Sequence, residues 1–279
     1  MNKVVYISDA FLCDIVGGGE LNDHELCLEL QKNKIKVIKK RSSTLSIEDI
    51  DVELFYIISN FMMIKEDVKN YITKNCNYII YEHDHKYLKS RNPALYKEYR
   101  APEDLIINKE FYQRSKLVFC QTSFHESIIR KNLNIKNLYN VSGNLWSTDS
   151  LNMIKDLSSK DKKDRYSILN SKIAHKNTRE TIFYCETKGY DYDLVSSKKY
   201  KNFLSLLSNN DKFIFLPKTP ETLSRVVVEA KMMNMKVITN KRVGASYEPW
   251  FTKKGIELIE IMSLKREAIL DKVMETING

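Results

Sequence analysis

The absences in this chain narrow its class first. No apolar run reaches the roughly 18 residues that cross a bilayer as a helix. The opening "MNKVVYISDAF" enters a strand-like run at once, without an apolar signal core or a small-residue cleavage site, so a cytoplasmic protein is expected. The 5 cysteines, Cys13, Cys27, Cys76, Cys120 and Cys185, are odd in number and include no C-x-x-C pair. They argue against a disulfide framework and a zinc site, and read as reduced core thiols. Glycine is sparse, with 8 in 279 residues, yet Gly17, Gly18 and Gly19 are consecutive. There is no internal repeat and no low-complexity tract.

Hydrophobic residues make up 43% and charged residues 29%, a globular rather than a disordered composition, and 279 residues suit two domains. The formal net charge of +9 is uneven. Residues 1–150 carry 21 Lys+Arg against 20 Asp+Glu, a balance of +1, and residues 151–279 carry 24 against 16, a balance of +8. A basic half suits a nucleotide diphosphate, nucleic acid or a membrane surface, and charge alone does not choose among them.

Strand and helix alternate along the chain. "KVVYISDA", "IKVIKK", "VELFYIIS", "CNYIIYEH" and "KLVFCQTS" read as strands, several of them apolar throughout as buried parallel strands are. "ELNDHELCLELQKN" and "FHESIIRKNL" read as helices. The polar, serine-rich texture of residues 147–165 predicts a domain boundary there, with domains at 1–148 and 149–279. Beyond it the alternation restarts: "YSILNS", "YDLVSS", "KFIFLP" and "KVIT" as strands, and "NTRETIFYCETKG", "YKNFLSLLSNN" and "PETLSRVVVEAKMMN" as helices. "SLKREAILDKVMETING" predicts a last helix capped by Ser263. The pattern is α/β: two doubly wound, Rossmann-like domains, with a ligand cleft at the carboxyl ends of the strands.

Three segments carry candidate chemistry. The Gly17–Gly19 run precedes a helix and lets backbone N–H groups approach a phosphate, though it also reads as a flexible loop. It does not match G-x-G-x-x-G. In "PETLSRVVVEAKMMNMKVI", Pro220 and Glu221 predict a helix start, and Leu223, Val226, Val227, Ala230 and Met233 face a core. Glu229 lies about two turns beyond Glu221, too far to share a proton, so spacing alone reads as a solvated or salt-bridged pair. His83 and His85 flank Asp84 after an apolar strand, where alternate directions disfavour a metal site and leave a ligand contact or structural hydrogen bonding. In "KYLKSRNPALYKEYR", Lys86, Lys89, Arg91, Lys97 and Arg100 interleave with tyrosines, as a solvated face or as an acceptor-binding surface.

The strand, "PETLSRVVVEA" and "KVIT" in succession resemble the donor-site motif of retaining GT-B glycosyltransferases, the large family four with its E-x7-E pattern. "GGGE" resembles that family's first-domain glycine loop. "YIIYEHDHKY" resembles its strand ending in a histidine near the sugar, which favours His83. Asn144 stands where an asparagine-containing loop enters the linker. Lys176 matches a lysine that precedes glycine in the family, with Asn177 in the glycine's place; the arginine about six residues earlier is absent, and Lys172 stands near its position.

The resemblance, over roughly residues 4–262, implies a GT-B arrangement and transfer of a sugar from a nucleotide diphosphate donor, UDP-linked, to an acceptor hydroxyl with retention and without a metal. It implies that His83, Glu221 and Lys176 serve the reacting centre. It also implies that Gly17, Gly18, Gly19, Lys172, Thr222, Leu223, Ser224 and Glu229 hold the donor, Glu229 at the ribose and the 222–224 backbone at the diphosphate. The acceptor is a glycan, a lipid-linked sugar or, as in phage enzymes of this architecture, a hydroxymethylated base of DNA. Two competing classes remain, a nucleotide-sugar binding protein without turnover and a nucleotide-sugar epimerase.

Overall fold

The computed structural model describes residues 2–279, and its chain divides into two compact units. One comprises the residues up to Leu145 together with Arg266–Gly279, the other Trp146–Lys265.

The first unit is built on six parallel strands in the order β2-β1-β3-β4-β5-β6. In chain order these are β1 (Lys3–Ser8), helix α1 (Gly18–Lys32), β2 (Lys36–Arg41), β3 (Phe55–Ile58), α2 (Glu66–Asn75), β4 (Asn77–Tyr81), α3 (Lys109–Arg114), β5 (Leu117–Cys120), α4 (Ser123–Leu133) and β6 (Leu138–Asn140). Its central strands are apolar throughout because both faces are covered. Val5, Ile7, Tyr56, Ile58 and Ile80 enter one core, while Val4, Tyr6, Phe55, Ile57 and Ile79 enter the other.

The second unit has four parallel strands in the order β10-β9-β7-β8. Its elements are α5 (Thr148–Ser158), β7 (Lys163–Leu169), α6 (Thr178–Lys188), β8 (Tyr192–Val195), α7 (Tyr200–Leu207), β9 (Asn210–Phe215), α8 (Arg225–Met232), β10 (Lys236–Thr239) and the start of α9 (Gly255–Asn278). In each unit the strand order reverses direction once, at β1/β3 and at β7/β9. Open α/β sheets bind ligands outside the carboxyl ends of the strands at such points. Both units are Rossmann-like, as the alternating pattern predicts.

Local departures from the sequence pattern have physical causes. The polar stretch after residue 147 is the helix α5, whose first turn the Ser147 hydroxyl caps by accepting from Ser150 N–H at 3.1 Å, and which buries Leu151 and Ile154. Ser263 is not a cap: α9 begins at Gly255, where φ is +59°, so Ser263 lies inside it. The last residues, 266–279, which the sequence pattern assigns to the second domain, belong to the first unit. There Ile269, Val273 and Ile277 join the core containing Val4 and Tyr6, and Arg266 donates to Glu25 on α1 at 3.0 Å.

Candidate functional site

At the β7/β9 reversal the loop after β7 brings Lys176 and the loop after β9 brings Glu221. Lys176 Nζ donates to both carboxylate oxygens, at 2.9 and 3.0 Å, with both side chains partly exposed. Lys176 also lies 5.8 Å from the centroid of Phe215, at the end of β9. Asn177, which follows it, adopts φ +63°, a left-handed conformation that asparagine tolerates better than most residues and that accounts for its standing in a glycine's place. Its side-chain amide donates to Leu216 O at 2.7 Å, which links the two loops. Lys172 is exposed on the same loop.

Glu221 does not start a helix, as Pro220 and the acid predict. Its N–H donates to Arg242 O at 2.7 Å and its carbonyl accepts from Gly244 N–H at 2.8 Å, a parallel bridge beside Val243. Pairing of this stretch with residues 242–245 outweighs the local helix signal, and α8 begins only at Arg225. Leu223, Val227, Ala230 and Met233 are buried, as their spacing predicts, while Val226 is partly exposed.

Ser224, which caps α8, adopts φ +72° and ψ 82°. That region is disfavoured for a residue with a β-carbon by about 1–2 kcal/mol. The side chain is 8% exposed and its hydroxyl has no hydrogen-bond partner. The first N–H groups of α8 have no intrahelical acceptor, as at every helix start. Thr222 and Leu223 are also buried here.

Glu229 lies on α8 with 2% of its surface exposed. Its Oε1 accepts from Trp146 Nε1 at 3.0 Å, Tyr200 hydroxyl at 2.7 Å and Arg225 Nε at 3.3 Å. Arg225 in turn stacks over Trp146, 4.4 Å from the ring centroid. The carboxylate is therefore a buried structural node as well as a candidate ribose ligand, and not a member of a solvated pair. Sequence reasoning missed its partners, because nothing in the spacing ties Trp146 or Tyr200 to α8.

In the first unit, Gly17 caps α1 and Gly18 and Gly19 open it, as the glycine run predicts. A β-carbon on Gly19 would stand 3.3 Å from His83 Cγ, so the glycine admits the imidazole against the helix. His83 Nε2 is 2.6 Å from Asp23 Oδ1 and its Nδ1 is 2.7 Å from Gln121 Nε2. Asp23 is buried, which alone would raise its pKa. The charge and hydrogen bond of His83 more than offset this, and the carboxyl stays below its ordinary value. Both ring nitrogens of His83 are thus engaged within the protein. Asp23, 60 residues away, and Gln121, 38 residues away, carry no signal in the local pattern.

The basic run beginning at Lys86 is only partly a surface. Lys86 is fully buried and donates to Glu82 and to Asp84, the latter at 2.9 Å; Tyr112 also donates to Glu82, and Arg91 to Asp84. Burial works against ionised Asp84, but Lys86 and then Arg91 hold its pKa far below normal. Lys86 is thus a counter-ion and not part of an acceptor surface, since two carboxylates at the end of β4 require a buried cation. Arg91 is committed to Asp84, whereas Lys89, Lys97 and Arg100 are exposed. Asn144, at the end of the first unit, is buried. Among the described residues no cluster of His, Cys, Asp and Glu is placed to hold a metal ion, and no helix is long and apolar enough to cross a membrane.

The fold resembles solved structures at low sequence identity. One is Anabaena Alr3699/HepE in complex with UDP and glucose, with a TM-score of 0.52, 12% identity, and 99% of this chain and 92% of that chain covered. Another is an alpha-glucosyltransferase in complex with UDP and a 13-mer DNA containing a HMU base, with a TM-score of 0.50, 10% identity, and 99% and 94% covered. An alpha-glucosyltransferase in complex with UDP and a 13-mer DNA containing a central A:G mismatch gives a TM-score of 0.51 at 10% identity, with 99% and 93% covered. At these identities the likeness establishes the fold. No family description matches the sequence, and no curated protein does.

Two measurements test the electrostatics of the site. Glu229→Ala leaves Arg225 buried without its carboxylate and is expected to destabilise the second unit by about 3–5 kcal/mol in denaturant unfolding, with Glu229→Gln costing clearly less. Equal, small costs would contradict the buried node. Burial lowers the His85 pKa from 6.5 to about 4. The unfolded chain therefore binds the proton first, and stability falls as pH drops from 6.5 towards 4 by up to about 3 kcal/mol. His85→Asn should flatten that slope in unfolding curves recorded across the window; an unchanged slope would contradict it.

Proposed function

We propose that the protein is a glycosyltransferase that takes a sugar from a nucleotide diphosphate donor, a UDP-sugar, and transfers it to an acceptor hydroxyl. The observation that carries this is the meeting of Lys176 and Glu221 at the β7/β9 reversal, with Ser224 on the same loop strained in its backbone and its buried hydroxyl without a hydrogen-bond partner. Backbone held in a sparsely populated region persists where surrounding structure enforces it, and such sites cluster where ligands are gripped. The fold relatives with UDP bound support the choice of nucleotide.

In the reaction, the bond from the anomeric carbon to the β-phosphate oxygen breaks and the acceptor oxygen bonds to that carbon. The acceptor's proton passes to the departing diphosphate. Charge grows on the diphosphate as the bond lengthens, and donors fixed in place stabilise it without reorganising. Lys176, Lys172 and the 222–224 backbone are assigned that role, with no metal required. Glu221 orients Lys176 in the resting protein and lies beside the donor sugar. Glu229 orders the ribose side of the site through its hold on Arg225, Tyr200 and Trp146. The first unit is assigned to the acceptor, with the Gly17–Gly19 loop and His83 as its candidate contacts. Attack on the face from which the diphosphate leaves gives retention.

A thermal-shift panel of UDP-, GDP- and ADP-sugars tests the assignment, with Lys176→Ala and Ser224→Gly alongside. UDP-sugar is expected to raise the melting temperature of the native chain. Lys176→Ala should abolish that rise, whereas Ser224→Gly, which removes the backbone strain, should keep it. Diphosphate release in the presence of an acceptor and excess chelator should persist. No rise with any nucleotide sugar would overturn the reading. Conversion of the donor to an isomer without acceptor would assign an epimerase, and binding without release in any acceptor screen a non-catalytic binder.

A further inference from the structure

The second unit's charge is polarised along its sheet. At the amino ends of the strands acids alternate with the cations and several are paired, Lys212 with Asp164, Lys236 with Asp211 and, within β7, Arg165 with Asp193, while Lys163 is exposed and forms no salt bridge among the described residues. The carboxyl ends differ. Lys172 and Lys176 follow β7, Lys198 and Lys199 follow β8, Lys218 follows β9, and Lys241 and Arg242 follow β10. In residues 170–177, 196–199, 216–224 and 240–243 the one acid is Glu221, which Lys176 takes. The other cations of this edge are exposed and form no salt bridge among the described residues. Helices α6, α7 and α8 also start at this edge, and each adds the positive end of its dipole.

A diphosphate at the central β7/β9 position accounts for Lys176 and its neighbours. It does not account for the pairs at the two margins. The sheet order puts Lys241 and Arg242 after one edge strand, β10, and Lys198 and Lys199 after the other, β8. Three strand spacings separate β10 from β8, roughly 14 Å at 4.7–4.9 Å each. A row of that length matches about four nucleotide steps along the axis of a duplex, at a rise of roughly 3.4 Å each. Unpaired lysines kept at both margins of a sheet repel one another and the central cations, a cost that an extended polyanion removes.

We propose that this edge binds the phosphate backbone of a nucleic acid, with Lys198, Lys199, Lys241 and Arg242 as the flanking contacts. A membrane surface is the less suited polyanion: of the large apolar side chains in these four loops only Ile173 is strongly exposed, at 52%. Interfacial binding relies on several such side chains. Tyr247, 46% exposed and bonded through its hydroxyl to Lys241 O at 2.9 Å, stands beside the row as a surface for a base. Backbone binding is independent of the donor reading. That the nucleic acid bears the accepting hydroxyl rests on it.

The test uses the full chain and a labelled oligonucleotide of mixed sequence, single- and double-stranded, titrated over a series of salt concentrations. Binding should weaken steeply with salt. Lys198→Ala/Lys199→Ala and Lys241→Ala/Arg242→Ala should each lower affinity about tenfold and reduce the salt slope by about one per lost contact. Lys163→Ala/Lys236→Ala, at the opposite end of the sheet, should leave both unchanged. Absence of oligonucleotide binding overturns the proposal. So does capture by phosphatidylserine vesicles without oligonucleotide binding, or an equal loss from the amino-end variant. The UDP-sugar thermal shift, run on the same variants, reports folding and separates the two claims. Oligonucleotide binding without a nucleotide shift sinks the donor reading alone, and the reverse sinks this one alone.

Discussion

The ion pair between Lys176 and Glu221 stands where β7 and β9 part, and the geometry of the second unit converges on it. The parallel sheet brings both loops to one edge, because every strand in it runs the same way. Reversal of strand order leaves a crevice there, which no crossover helix covers. Glu221 is held by its own backbone, bridged to Arg242 and Gly244, so its carboxylate reaches Lys176 from a fixed base. The same pairing delays the start of α8 and leaves Ser224 in its left-handed turn. One backbone bridge thus sets the position of the acid, the strain at the serine and the direction of the helix.

Buried charge is managed differently in the two units. In the first, Lys86 answers Glu82 and Asp84 with no exposure at all, and His85 and His125 are kept neutral by burial. In the second, Glu229 is answered by Arg225 together with two aromatic donors. Each arrangement is satisfied internally and costly to break from one side only. The exposed cations at the carboxyl edge of the second sheet are the contrasting case, charge left without a partner inside the protein.

Much of the fold is legible in the sequence. "FYII", "YIIY" and "FIF" are apolar at every position because parallel strands are buried on both faces, and such runs survive reading without any neighbour. The glycine run and Gly189, at φ +66°, mark a helix start and a helix end by backbone needs alone. The errors share one cause, a tertiary environment that the local pattern does not encode. Pro220-Glu221 has the local signature of a helix start, and only the 242–245 segment overrides it. Lys86 looks like surface charge until Glu82 and Asp84 are seen to close around it. His83 is legible as a site residue, whereas Asp23 and Gln121, which fix its ring, are reached only through the fold. Glu229 is placed on its helix by periodicity, but its burial depends on Trp146 and Tyr200 from outside that helix.

The central claim is that the carboxyl edge of the second sheet holds a nucleotide through its diphosphate. Isothermal titration of the intact protein with UDP, UMP and uridine at two salt concentrations tests it most directly. The account predicts that UDP binds more tightly than UMP, that uridine binds weakly or not at all, and that added salt weakens UDP far more than it weakens uridine. Equal affinities for UDP and uridine, or no binding by UDP, would contradict it.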